Sequence, residues 1–403
     1  MVKENTMKQT EIGLLPEDWE VVNLGDVLLS NPDYGINASA VKYSDALPTY
    51  LRITDIDDEG NFIKDNLSSV NDVNSEKYYL SNDEIVFART GASVGKTYLY
   101  KENDGKLVFA GFLIRLKVNI REANSKFIFY NTQTTYYKNW IISNSMRSGQ
   151  PGINSNEIKV FQIPFPSLPE QEAIAEALSD ADAWIESLEQ IIAKKRLIKQ
   201  GAMQELLTPK EDWEVKKLGE VINFKNGAAH ENVVDENGDY VIVNSKFISQ
   251  DGRVRKYSNA YLCPLYVDEI VMVMSDIPNG KALAKCFIID KNETYTLNQR
   301  ICAFEAQANF YPRFLFYIIN RNDYFLSFDS GSGQTNLRRD EILNCPVSFP
   351  SLTEQTRIAG ILSDMDAELE ALEVQLAKAR QVKQGMMQVL LTGKIRLHQD
   401  LQD

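Results

Sequence analysis

Residues 165–208 and 349–392 are one 44-residue segment written twice, with 27 identical positions and no gap. A long internal repeat bounds the fold before any other feature, because one structural unit must then be built twice. Each copy opens on Phe-Pro-Ser-Leu and then takes on helical spacing. Apolar residues fall at Ile174, Leu178, Ala181, Ile185, Leu188 and Ile192, and in the second copy at Ile358, Leu362, Met365, Leu369, Leu372 and Leu376. Steps of four and three residues make a heptad seam, with Glu, Lys and Arg on the solvated face. A helix over 170–205 would be about 54 Å long. One helix cannot bury such a seam alone, so matching seams predict that the two copies pack on each other. The alternative is that each helix packs only on its own neighbouring domain.

The repeat continues outside the helices. PEDWEVVNLGDV from Pro16 and KEDWEVKKLGEV from Lys210 set Trp19 opposite Trp213 and Gly25 opposite Gly219. Tyr50 and Tyr240 each open an alternating strand pattern. DEIV stands at 83–86 and 268–271, and each is followed by Gly-Lys, at Gly95-Lys96 and Gly280-Lys281. FIFY at 127–130 pairs with FLFY at 314–317, both read as helix, and each unit closes on Ser-Gly-Gln at 148–150 and 332–334. The expected fold class is α+β: two globular α/β domains joined by two long antiparallel coiled-coil helices in a pseudo-twofold repeat. The expected domains are 1–163, a helical segment at 164–208, a second globular domain at 209–346, and a second helix with its tail at 347–403. Between the shared landmarks the two globular domains mostly differ, which suggests one task performed on two targets.

With 403 residues, 44% hydrophobic and 25% charged, the chain has the composition of an ordinary globular protein. No apolar core of signal-peptide length opens it and no run reaches 18 apolar residues, so a cytoplasmic location is expected. Cys263, Cys286, Cys302 and Cys345 lack CxxC spacing, and His230 and His398 are the only histidines, so neither a disulfide framework nor a metal site is expected. RTGASVGKT at 89–97 is one residue short of a phosphate-binding P-loop, and its counterpart keeps only the Gly-Lys, so a turn between strands is expected. NPDYG at 31–35 resembles a methyltransferase amine-binding motif, but no glycine-rich cofactor loop accompanies it. No nucleophile–base arrangement repeats, so a non-catalytic chain is expected.

The turns carry groups suited to nucleic acid. In the first domain these are Arg52, Arg89, Thr90, Ser93, Lys96, Arg115, Arg147, Ser148 and Gln150. In the second they are Lys225, Asn244, Lys246, Ser275, Asn279, Lys281, Arg300, Ser332, Gln334 and Arg338. Arg bonds guanine bidentately, and Asn or Gln does so with adenine, while Lys and hydroxyls more often take phosphate. Residues paired across the repeat (Lys96 with Lys281, Gln150 with Gln334, Ser148 with Ser332) suit phosphate contact or turn structure. Unpaired ones suit readout. A net charge of −13 opposes a chain that grips DNA alone, since phosphate contacts dominate affinity.

The two openings, the FARTGASVGKT turn, the Ser-Gly-Gln closures, the duplicated FPSL-x-EQ-x-x-IA helix entry and the KQGMMQVLLTGKIRL tail together resemble the specificity subunit of type I restriction–modification systems. The resemblance runs from about residue 10 to 397. It implies that 19–148 and 213–332 are target-recognition domains, each reading half of a bipartite sequence in double-stranded DNA. It also implies that the helices over 170–205 and 354–389 fix the gap and dock methyltransferase subunits, two in all, through Ile174, Leu178, Ile185, Leu188, Ile192, Ile358, Leu362, Leu369, Leu372 and Leu376. This chain would bind no cofactor. S-adenosylmethionine would belong to the modification subunits, ATP and Mg to restriction/translocase subunits. The competing expectation is a coiled-coil interaction protein whose duplicated heads bind other proteins, which the acidic charge favours.

Overall fold

The computed structural model describes residues 6–146, 149–276, 282–329 and 333–397. The chain divides into two compact units: Met1–Glu189 with Val374–Asp403, and Gln190–Glu373.

In the first unit Glu84–Ala88 is buried at every residue and lies at the centre of an antiparallel sheet. It pairs with Leu113–Lys117 on one side and Thr97–Leu99 on the other, and Asp33–Tyr34 forms an edge. The EIVF run of branched and aromatic residues is what a strand covered on both faces requires. A second sheet sets Leu107–Phe109 parallel to Thr49–Leu51. The second unit repeats this plan. Ile270–Val273 is flanked by Ile301–Ala306 and Cys286–Ile288, with Ile222–Asn226 beyond, and Tyr240–Val243 runs parallel to Tyr295–Leu297. Asp83 and Asp268, which open the two DEIV runs, both take left-handed backbone, φ 64° and 69°.

The repeated segments form helices of 39 residues each, Leu168–Leu206 and Leu352–Leu390. The Gln of the EQ pair explains the entry. Gln171 Nε2 donates to the Pro166 carbonyl at 2.9 Å while its Oε1 accepts from Asn124 N–H at 2.9 Å. Gln355 does the same with Pro350 and Tyr311, at 3.0 and 2.9 Å. One amide thus ties the chain before the long helix to the start of a helix in the globular part, Ser125–Asn131 in one unit and Pro312–Ile319 in the other. Those are the FIFY and FLFY helices.

Within the first unit Asp182 pairs with Lys383, and Glu189 with Arg380 at 2.6 Å, so residue numbers rise along one helix as they fall along the other. The segments there run antiparallel. Within the second unit Asp366 pairs with Lys199, and Glu373 with Arg196 at 2.7 Å, which are the same pairs moved by the repeat's own offset. The start of the seam does something the heptad pattern alone does not indicate. Ile174 and Leu178 enter a cluster with Trp19, Phe127 and Tyr130 of their own globular part, and with Leu390 and Leu391 from the end of the second long helix. Ile358 and Leu362 likewise pack with Trp213, Phe314 and Tyr317, joined by Met203 and Leu206. Each expected packing partner is present, at different points along the seam. Leu188 and Ile192 are buried, as is Leu369, while Ile185, Leu372 and Leu376 are half-buried.

Arg396 completes the first unit. Its guanidinium donates to both carboxylate oxygens of Asp18 at 2.8 Å and to the buried Glu170, which also accepts from the Trp19 indole at 3.1 Å. Among the described residues no helix is long and apolar enough to cross a membrane. Nor is any group of three or more His, Cys, Asp or Glu there placed to hold a metal ion.

Candidate nucleic-acid interface

The RTGASVGKT segment is the turn of a hairpin, Glu84–Ala88 to Thr97–Leu99. Gly95 sits at φ 84°, and a Cβ there would lie 2.6 Å from Ile141 Cγ2, so the glycine serves packing and backbone rather than phosphate. Three chain segments converge on this turn. Arg89 N–H donates to the Phe112 carbonyl at 3.0 Å, Gly91 N–H to Pro151 at 3.0 Å, and Ile153 N–H to Arg89 at 2.9 Å. Thr90 bridges to Gly152, and the Arg89 guanidinium lies 4.9 Å over the Tyr34 ring. Arg89, Thr90, Ser93 and Gln150 therefore share one corner of the first unit.

The second unit builds the same corner. Met274 N–H donates to the Arg300 carbonyl at 3.3 Å and Leu337 N–H to Met274 at 2.8 Å. Ser275–Asp276 pairs with Thr335–Asn336, and Gln334 Nε2 donates to the Ser275 hydroxyl at 2.6 Å. Ser275, Arg300 and Gln334 come together here, and the exposed Arg338 follows two residues after Asn336. Arg147, Ser148, Asn279, Lys281 and Ser332 lie outside the described residues.

Other candidates are held in structural roles. Arg115 is 5% exposed. Its guanidinium donates to both oxygens of Asp33 (3.1 and 2.6 Å), to the Tyr79 carbonyl (3.0 Å) and to Glu84 (3.3 Å). Burial would lower its pKa, but the Asp33 and Glu84 carboxylates hold it above the usual arginine value. It is a core counter-ion and presents no free edge to a duplex. Lys225 does the same work from a different strand, donating to Glu269 at 2.6 Å and to the Pro264 carbonyl at 2.8 Å. Glu84 and Glu269 are matching residues, each 7% exposed, and each accepts from a turn amide, Ser81 at 3.0 Å and Tyr266 at 2.7 Å. Equivalent buried carboxylates are thus neutralised from the neighbouring inner strand, Leu113–Lys117, in one unit and from the edge strand, Ile222–Asn226, in the other.

Arg52 forms a two-bond pair with Asp55, at 2.8 and 2.7 Å, and also reaches the Asn66 carbonyl at 3.0 Å. Lys96 meets Asp58 at 2.8 Å and the Ile56 carbonyl at 3.2 Å. Asn244 caps a short helix, its Oδ1 accepting from Phe247 N–H at 2.9 Å. Lys246 is exposed on that helix. The loops at 31–36 and 225–230, which share little sequence, do correspond: Gly35 N–H donates to Leu113 and Gly227 N–H to Ile301, both at 3.1 Å. The exposed Phe112 is a corner residue that the sequence did not single out, and Tyr34 entered only as part of the NPDYG motif. Phe112 sits in an apolar run, GFLIRL, that reads as core.

Comparison with known proteins fits this duplicated frame. The sequence model of the type I restriction modification DNA specificity domain matches residues 16–194 and again 210–378. The chain belongs to that family. The specificity subunit of the type I restriction enzyme MjaVIII of Methanocaldococcus jannaschii is 25% identical over 431 aligned positions, covering 98% of this chain and 97% of that one. The crystal structure of the type I restriction–modification S subunit from M. genitalium superposes with a TM-score of 0.63 over 92% of this chain and 96% of that one, at 17% identity. A chain from a structure of type I R-M complex assembly and conformational transition gives 0.52 over 94% and 99%, at 15% identity. At those identities the structures speak for the fold. This chain is accordingly a DNA sequence-specificity subunit of a type I restriction–modification system.

Proposed function

We propose that each unit of this specificity subunit reads one half of a bipartite target in double-stranded DNA through the corner built around its hairpin turn. The observation that carries the reading is a shared frame with unshared contents. Both corners are closed by equivalent backbone bonds, yet Arg89, Phe112 and Tyr34 stand where the second unit has Met274, Arg300 and Asn226. A scaffold kept constant while the side chains at its corner change is what reading two different sequences demands. Arg89, Arg300 and Arg338 are the proposed base contacts, with Gln150, Gln334, Thr90, Ser93 and Ser275 toward phosphate. Lys246 is kept as an outlying phosphate contact.

The long helices act, in this reading, as a coiled-coil ruler that fixes the gap between half-sites and as the surface on which two methyltransferase subunits dock. Those subunits would bind S-adenosylmethionine and methylate adenine N6, while restriction subunits would use ATP and Mg. Such partners also account for the net charge of −13, because a duplex clamped by other subunits needs little electrostatic grip from this one.

The test is base-resolution mapping of methylated adenines in cells with this gene intact and deleted. Loss of methylation at one bipartite motif with a fixed gap is the expected result. Unchanged methylation, with the other subunits expressed, would overturn the reading.

A further inference from the structure

In both units one backbone bond joins the hairpin turn to the residue just before the central partner strand, from Arg89 to Phe112 and from Met274 to Arg300. The register around it matches, since Leu113 lies opposite Ala88 and Ile301 opposite Val273 one residue later. Positions 112 and 300 are therefore one backbone position, and a side chain leaves it in the same direction in either unit. Both side chains are exposed, Phe112 at 58%. The neighbouring differences are less free: Met274 packs on the core of its unit and the Arg89 guanidinium lies on Tyr34. A benzyl group left in water gives up the stabilisation that burial would bring. A partner with an apolar edge restores it. In the major groove that edge is the 5-methyl of thymine, while a guanidinium matches O6 and N7 of guanine.

The geometry points to position 112/300 as a base-reading position, at which Phe112 takes a thymine methyl and Arg300 a guanine, each in the half-site of its own unit. This rests on the proposal that the two corners read DNA, and it adds Phe112 to the readers.

The test uses cells that express the modification subunits with the wild-type chain, F112A, F112R or R300A, and maps methylated adenines in each. With F112A, preference at one A·T position of one half-site should fall by roughly tenfold, with the other half-site and the gap unchanged. With F112R that same position should come to favour guanine. With R300A one G·C position in the opposite half-site should relax. If F112A and F112R both keep the wild-type motif, or weaken methylation evenly at every site without moving any base preference, Phe112 is not a reader. A wild-type map without a gene-dependent motif would instead sink the specificity reading beneath it.

Discussion

Glu84 and Glu269 need a cation within bonding distance, because a carboxylate taken out of water is costly unless paired and hydrogen-bonded. Removing Arg115, as in Arg115→Met, takes the guanidinium from Asp33 and leaves Glu84 only the more open Lys117 ammonium at 3.7 Å, and should destabilise the first unit by about 3–5 kcal/mol. Lys225→Met should cost less, about 1–3 kcal/mol, since that ammonium is partly open to water. Urea unfolding measures both, and neither change should alter the base preferences of a correctly folded fraction. A selective change of motif in Arg115→Met would mean that this guanidinium leaves the core to meet DNA. At this scale the sequence was only partly legible. It displayed the charges of Arg115 and Lys225, but not that they answer to equivalent carboxylates, Glu84 and Glu269, from different strands. Neighbours across a sheet are fixed by register, and register here joins residues dozens of positions apart. Phe112 shows the converse: a phenyl group in an apolar run carries no mark that its backbone has reached an edge.

Elements were far more legible, because periodicity and repetition report on them directly. The heptad seam announced both long helices, and the DEIV and FIFY/FLFY landmarks fall on strands and helices that correspond between units. The seam could not announce where its partner changes. Near the start, Ile174 and Leu178 face Trp19 as well as the other long helix, since an aromatic from a distant segment offers the same apolar surface as a heptad knob. Leu178→Ala, in that fully buried cluster, should cost about 2–5 kcal/mol. Ile185→Ala, at a half-buried seam position, should cost visibly less. Thermal unfolding of the two variants checks the order, and equal losses would contradict the packing described. The Arg380–Glu189 and Arg196–Glu373 pairs have exposed guanidinium groups, and each adds no more than about 1 kcal/mol, while the two Lys–Asp pairs are half-buried. Their value lies in register, since the same two pairs are made once in each unit.

For the whole molecule the ruler proposal gives a length experiment. An insertion of four residues after Ala193 alone adds about 6 Å to one helix, and should lengthen the preferred gap by one or two base pairs with both half-sites intact. Placing the same insertion after Ala377 as well, its counterpart in the repeat, keeps the ion pairs in step and should give the cleaner change. Methylation mapping reads the gap, and an altered half-site would show that the helices are more than spacers.

The two units also differ in when they can be finished. The second is one continuous run, Gln190–Glu373, whereas the first draws on Met1–Glu189 and on Val374–Asp403. A ribosome adding roughly 5–20 residues per second must make the whole of the second unit before Leu390, Leu391 and Arg396 exist. For about ten to forty seconds the nascent first unit carries Trp19, Ile174 and Leu178 without the residues that later cover them, and Glu170 without Arg396. The half of the molecule that is begun first is completed last, so a stalled or truncated message yields an exposed apolar face, not a finished half-reader.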